Sequence, residues 1–396
     1  MSEWKKCRIG DLVTLRQGFA INAKSKHYIS KERTSLALLR IADMKSGSRE
    51  IFIREDIPQN FIAKAEDIVY TRTGNVGLVF RNNYGVVHNN CFTVTPNEES
   101  VLSRDYLFYL LQSKDFYDKA NSLARGAAQP DLPHTLFNSI EIVYPSVSTQ
   151  HRIDTILSRY DSLIKNYQKQ IKLLEEAAQR LYKEWFVDLY FPGHENTKIV
   201  DGVPEGWKYR KIGDVYKTVL GGTPSRAKTN YWGGDIPWIN SGEINKLRII
   251  QASEMITKEG YDNSSTKLMP VHTTILAITG ATLGQVSYTE IETCANQSVV
   301  GIIDETNLTN EYLYLYINDN ILSIVNKATG GAQQHINKDI VNDYKILIPS
   351  QNVLASFKKK TIPLFKLIKD HLIGIQSLTE ARDRLLPKLM SGEIEV

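Results

Sequence analysis

The sequence predicts an α/β fold built twice: two mixed-sheet domains, each followed by a long helix, with the two helices paired antiparallel as a coiled coil. Three observations predict it. The second half of the 396-residue chain repeats the first at a nearly constant offset. Between Pro145 and Pro192 the chain has no Gly or Pro and carries an unbroken apolar alternation. Within each copy, short strand-like segments and one helix precede the long apolar stretch, without the regular βαβ rhythm of a doubly wound sheet.

The repeat is read from matched residues. Trp4-Lys5 and Ile9-Gly10-Asp11 return as Trp207-Lys208 and Ile212-Gly213-Asp214, 203 positions on. Thr73-Gly74 and Asn90 return as Thr279-Gly280 and Asn296, 206 positions on. Gly126, Ala128, Gln129 and Pro145-Ser146 return as Gly330, Ala332, Gln333 and Pro349-Ser350, 204 positions on. That offset also carries Leu163-Ile164-Lys165 onto Leu367-Ile368-Lys369. The expected boundaries are a first domain over 1–147, a spacer helix over 148–190, a second domain over 191–352 and a second spacer helix over 353–396.

Taken in order, Asp67–Thr71 and Gly77–Phe80 read as strands around the turn Thr73-Gly74-Asn75. Ser103–Lys119 carries Leu107, Leu110, Leu111 and Phe116 at helical spacing, with Ser103 as N-cap. Ile140–Tyr144 alternates toward a strand that Pro145 ends. In the second copy the same order falls on Thr274–Thr279, Gln285–Tyr288, a helix after Asn310, and Tyr344–Ile348.

The first long helix has the seam Ile153, Leu157, Tyr160, Ile164, Tyr167, Ile171, Leu174, Ala178, Leu181, Trp185. A strict seven-residue repeat on a helix of 3.6 residues per turn implies a partner in a left-handed supercoil. A rod of roughly 55 to 60 Å follows from 1.5 Å per residue. Two readings stand, a core helix of a bundle and a spacer with something at each end. The second seam is Phe357, Thr361, Leu364, Ile368, His371, Ile375, Leu378, Arg382, Leu385, Leu389, with three polar interruptions. Pro363 predicts a well-formed helix starting near it, and Pro387 with Gly392 predicts its end. The polar positions Thr361, His371 and Arg382 are expected to face the tyrosines of the first helix. Because the chain must return before the second copy begins, the helices are expected to lie antiparallel with a globular part at each end.

Composition bounds the rest. Hydrophobic residues make up 42% and charged residues 23%, which suits a globular chain. A net charge of +4 permits a polyanionic partner without demanding one. Cys7, Cys91 and Cys294 have no metal-like spacing, and together with the absence of a signal peptide or an 18-residue apolar run they predict a cytoplasmic protein without a membrane partner. The eight histidines show no ligand spacing, and no Ser or Cys lies in a nucleophile-elbow context. Asp131-Leu132-Pro133-His134 superficially resembles the acidic-Pro-Pro-aromatic loop of adenine methyltransferases, but its middle and last residues differ. Pro130-Asp131 with Glu141 resembles a nuclease core, but Val143 stands where Lys is needed. Both are read as chance.

A duplicated module on a rigid spacer suits a reader of two separated patches on one linear polymer, and duplex DNA, with half-sites roughly 34 Å apart per helical turn, is such a polymer. The paired Trp-Lys and Ile-Gly-Asp openings, the Gly-x-Ala-Gln turns, the run Leu181-Tyr182-Lys183-Glu184-Trp185-Phe186-Val187-Asp188 and the tail Arg384-Leu385-Leu386-Pro387-Lys388-Leu389-Met390-Ser391-Gly392-Glu393-Ile394 together resemble the DNA-specificity (S) subunit of type I restriction-modification enzymes. The likeness covers nearly the whole chain. It implies two target-recognition domains reading a bipartite double-stranded DNA sequence across a gap set by the helix pair. It also implies a non-catalytic chain that docks two adenine-N6 methyltransferase (modification) subunits and, through them, an endonuclease/translocase (restriction) subunit. S-adenosylmethionine is then a cofactor of the modification subunits, with none on this chain. Two other classes remain open: a coiled-coil protein-interaction scaffold, and an enzyme fused from two catalytic modules.

Residues shared by the copies cannot explain different target sequences, so they are structural or touch phosphate and sugar. Thr73, Asn75 and Thr279 mark the shared turn as a DNA contact, with Gly74 and Gly280 permitting it. Arg72, matched by Ile278, reaches a phosphate or faces solvent. The loops containing Arg125, Gly126 and Gln129 in one copy and Thr329, Gly330, Gln333, Gln334 and His335 in the other either cradle a phosphate or pack tightly. Where the copies diverge in a common frame, Arg40 stands opposite Asn240 and Asp43 opposite Glu243. Arg suits guanine and Asn suits adenine, so these are candidate base readers or, alternatively, surface polar residues. Gly221-Gly222-Thr223-Pro224-Ser225-Arg226, opposite Gln17-Gly18-Phe19-Ala20, is a second recognition loop or a turn.

Overall fold

A computed structural model describes residues 4–306, 308–327 and 335–396. The chain divides into two compact units, Met1–Leu163 with Leu378–Val396, and Ile164–Ser377. Each unit therefore holds one domain and a part of both long helices.

In the first unit the central sheet runs in the order Val13–Gln17, Cys91–Pro96, Ile68–Thr71, Val79–Phe80, antiparallel throughout. A smaller sheet of five short strands adds the parallel pair Leu36–Leu39 and Gly85–Val87, which makes the domain mixed. Lys5–Arg8 pairs with Glu141–Tyr144, bringing the start of the domain to its end. In the second unit Lys217–Leu220, Val299–Ile303, Thr274–Ala277 and Val286–Thr289 repeat the central order, and Arg248–Ile249 adds a parallel edge. Lys208–Lys211 pairs with Lys345–Ile348 as the matching strap. Strand order and strap are thus those of one unit used twice.

The helix expected over Ser103–Lys119 is two helices, Arg104–Gln112 and Lys114–Leu123. Ser103 caps the first as expected, accepting from the Tyr106 N–H at 3.2 Å. Ser113 breaks the run: it is extended, its hydroxyl donates to Leu110 O at 2.7 Å and accepts the Phe116 N–H at 3.3 Å. Serine offers a cap where apolar spacing alone reads straight through.

The long helices are Val147–Phe186 and Gln351–Ser391. No residue of either seam is exposed. In the first unit Ile153 and Leu157 pack with Leu389 and Met390; in the second, Trp185 meets Phe357 and Tyr167 stacks on His371. Within each unit rising numbers on one helix meet falling numbers on the other, so the pairing is antiparallel. The second helix corrects two expectations. It starts well before Pro363 and runs through both Pro363 and Pro387; only Gly392, at φ +74°, stops it. Pro363 and Lys359, whose carbonyl loses its helical donor, both lie on the exposed face, where the lost bond leaves no buried polar group. Of the polar seam positions, His371 does meet a tyrosine. Thr361 instead donates to Phe357 O at 3.1 Å, and Arg382 pairs with Asp161 at 2.8 Å.

Candidate nucleic-acid interface

Three segments far apart in sequence converge at one rim of the first domain. The strand Ile68–Thr71 ends in Arg72, whose N–H donates to Asn90 O at 2.8 Å and whose carbonyl accepts the Leu132 N–H at 3.0 Å. Gly74, at φ +81°, donates to Pro130 O at 2.8 Å. Arg125 and Asp131 exchange both backbone bonds, at 2.9 and 2.8 Å, and close a loop that presents Arg125, Gly126 and Gln129 to solvent. Gly126 is at φ +98° over the Gln129 carbonyl, a conformation that suits Gly alone. Asn75 is exposed at the tip of the turn.

Asp131 ties the rim together. Its carboxylate takes Arg72 Nε at 3.0 Å, Arg72 Nη2 at 2.7 Å and the Thr73 hydroxyl at 2.6 Å. Arg72 Nη1 donates to Gln17 Oε1 at 3.1 Å, and Gln17 Nε2 donates to Asn89 O at 2.7 Å. Hydrogen bonding from Arg72 holds the Asp131 carboxyl below the usual carboxylate range. Burial pushes the nearby His134 down, aided by the Arg72 charge. Arg72 thus neither faces open solvent nor stands free; it braces the rim. Asp131, which the sequence offers only as part of a chance motif, is the residue on which the site turns. Its partners lie 58 and 59 positions away, beyond any local pattern.

The second domain repeats the backbone frame. Ile278 occupies the place of Arg72: its N–H donates to Ser298 O at 2.9 Å and its carbonyl accepts the Ile336 N–H at 3.0 Å. Thr279 bridges His335 as Thr73 bridges Asp131. Gly280 takes φ +68°. Gln333 and Gln334, with Thr329 and Gly330, lie outside the described residues.

The divergent pair also resolves into a common device. Arg40 and Asn240 are N-caps, and Asp43 and Glu243 are the third residues of the short helices that follow; each carboxylate accepts the cap N–H, at 3.2 Å in both copies. Asp43 and Glu243 are buried. Asp43 also takes Arg40 Nε and Nη2, each at 2.7 Å, and Arg40 Nη2 reaches Glu50 at 2.6 Å. Burial alone would raise the Asp43 carboxyl, but Arg40 outweighs it and holds it low. The Asn240 side chain accepts the Gly242 N–H at 2.8 Å. What these four residues visibly do is cap helices; only the side chains of Arg40 and Asn240 differ in kind between the copies.

The glycine loops are close approaches rather than free turns. A Cβ on Gly18 would collide with the His88 backbone carbonyl, and one on Gly221 with those of Ala295 and Asn296. Beyond Gly222, at the end of the segment read as a second recognition loop or a turn, Arg226 lies over the Trp232 ring at 3.6 Å and pairs through both terminal nitrogens with Glu254, partners that the sequence did not indicate.

Among the described residues no group of three or more His, Cys, Asp or Glu is placed to hold a metal ion, and no helix is long and apolar enough to cross a membrane.

A profile of the type I restriction modification DNA specificity domain matches residues 1–176 and 204–372, one match per copy. The type I restriction enzyme MjaIX specificity subunit of Methanocaldococcus jannaschii is 28% identical over 328 residues, covering 79% of this chain and 75% of that protein. The HindI specificity subunit of Haemophilus influenzae is 26% identical over the whole of both chains. The crystal structure of a type I S subunit from M. genitalium shares the fold, with a TM-score of 0.62 at 17% identity over 98% of this chain and 96% of that one. With the repeat, the helix pair and both domain matches in agreement, this chain belongs to the family of type I restriction-modification DNA-specificity subunits.

Proposed function

We propose that the chain is the sequence-reading subunit of a type I restriction-modification enzyme, with each domain reading one part of a bipartite duplex target. The observation that carries this is the rim built twice on one backbone frame with different side chains, with Arg72 and Asp131 paired in one copy and Ile278 and His335 standing at the matching positions in the other. A shared frame docks in the same way on a polymer of uniform backbone, and unlike side chains then read unlike bases. Arg125, Gln129, Asn75 and Thr73 serve the first rim and Thr279 the second; Gln333 and Gln334, expected from the sequence to contact DNA, lie outside the described residues. Arg40 and Asn240 serve as base readers in this proposal, while Asp43 and Glu243 act through the caps.

In this reading the helix pair sets the number of base pairs between the two parts of the target. The chain itself does no chemistry. It docks two adenine-N6 methyltransferase subunits, which bring S-adenosylmethionine, and through them the restriction subunit, in the cytoplasm. Mapping N6-methyladenine in DNA from cells carrying this chain and its modification subunits tests the proposal. A bipartite consensus is expected, with affinity of the assembled complex falling steeply with salt. A single continuous motif, or binding indifferent to sequence and salt, sinks it and favours a protein-binding scaffold. Removing seven residues from each helix is expected to shorten the gap while both parts of the target survive.

A further inference from the structure

We infer that Arg226 is a base-reading residue of the second domain, specific for guanine; this rests on the DNA-binding reading above. A guanidinium has two edges able to present a parallel pair of N–H groups: the end edge, Nη1 with Nη2, and the side edge, Nε with Nη2. Bidentate recognition of guanine O6 and N7 needs one whole edge free.

The three arginines of interest differ in which edge is spent. Arg72 gives its side edge to Asp131 and its Nη1 to Gln17. Arg40 gives its side edge to Asp43 and uses Nη2 again on Glu50. Arg226 gives its end edge to Glu254, Nη2 at 2.8 Å and Nη1 closer still. Its Nε has no partner among the described residues, and the side chain is 54% exposed. Of the three, Arg226 alone keeps its side edge turned away from its carboxylate.

The same residue is held in place beforehand. The Trp232 ring lies under the guanidinium at 3.6 Å, with Trp238 at 5.1 Å. Trp232 Nε1 donates to Ser225 O at 3.3 Å, and Trp238 Nε1 to Gly222 O at 3.0 Å, so both rings also anchor the loop. Thr223, three residues before Arg226, bonds Gln297 at 2.6 Å, next to Ser298, whose carbonyl accepts the Ile278 N–H on the rim. Glu254 cancels the net charge of the pair, which weakens long-range attraction to phosphate and leaves a directional donor edge. That balance suits a base edge better than a backbone phosphate.

The test uses the full chain assembled with its modification subunits and duplexes carrying the mapped target. Each guanine of the second domain's part is replaced in turn by 7-deazaguanine, which lacks the N7 acceptor. We expect one such position to lower wild-type affinity, and that sensitivity to vanish in both Arg226→Ala and Arg226→Lys. Discrimination at that base pair should fall about 5- to 150-fold, with the first domain's part unchanged. Three outcomes overturn the assignment while leaving the DNA reading intact: no guanine sensitivity in the wild type, sensitivity that persists in both variants, or a uniform loss across sequences with the salt slope reduced by about one, which marks a phosphate contact. Absence of any bipartite preference in the wild type removes the underlying reading as well.

Discussion

The two copies meet the helix pair through the same aromatic position but by different electrostatics. In the first, Arg81 lies over Phe108 at 4.0 Å and stands 3.6 Å from Asp161 of the first helix, which also takes Arg382 of the second helix at 2.8 Å and the Tyr109 hydroxyl at 2.6 Å. In the second, Arg248 lies over Tyr314, the counterpart of Phe108 at an offset of 206, at 4.5 Å, and bonds Glu175 of the first helix. The surroundings separate the two. Arg248 is wholly buried among Tyr314, Phe365 and Tyr288, whereas Arg81, Asp161 and Arg382 each keep about a quarter of the side chain in solvent. The joint is a wet clamp in one copy and a dry one in the other, built with arginines from different elements, and a charge in a dry joint is costly to leave alone.

That contrast is broken or sharpened first at its strongest point. Arg248→Met strands Glu175 without its buried cation and should cost about 3–5 kcal/mol, while Glu290 keeps Lys369 at 3.4 Å. Pairing it with Glu175→Leu should restore most of the loss, since an apolar pair of similar size is nearly neutral there. Asp161→Asn in the wet clamp should cost only about 1 kcal/mol. Denaturant midpoints of the variants check the order, and equal losses at the two joints would erase the distinction.

The rims differ in the same spirit, because His335 holds in the second copy the position that Asp131 holds in the first. Asp131→Asn should cost about 1–2 kcal/mol near neutral pH, discounted for its exposure. The sign follows from the lowered pKa: the carboxylate's stabilisation is complete above its unfolded value of about 3.9 and is lost as pH falls through the lower folded value. Melting followed from about pH 6 down to about pH 3 should therefore show a shallower acid limb in the variant. An unchanged limb would mean that Arg72 does not hold the charge.

A smaller effect separates the seams. His371 Nε2 is buried without a hydrogen-bond partner among the described residues, although its ring stacks on Tyr167 at 4.5 Å. His371→Leu should raise the thermal midpoint, by about 1 kcal/mol in stability, through removal of an unsatisfied polar atom. A drop would show that the stack outweighs it. Comparable in size, Gly74→Ala and Gly280→Ala should each cost about 1–2 kcal/mol from positive φ alone, since no atom of the described residues stands near either added Cβ. Unequal costs would show that the turns are not equivalent.

Much of the architecture is legible in the sequence. Ile153 to Trp185 and Phe357 to Leu389 announce two packed helices because residues three and four apart share a helical face. The offset from Thr73-Gly74 to Thr279-Gly280 announces a second copy of one turn. These are local or translational patterns, and a linear string records them. What the string does not record is strand register. Whether Arg72 reaches Asp131, whether Arg226 meets Glu254 and Trp232, and whether Arg248 is buried against Glu175 depend on which residues of distant strands and helices are brought level. Pro363 teaches the same point in reverse: its local preference ends a helix, and packing of both flanks on one partner, with the proline on the solvent side, overrides it. Periodicity along the chain thus determined the two copies and the two rods, and only the assembled tertiary structure decided which charges are shared, which are buried and which arginine edge is left to bind.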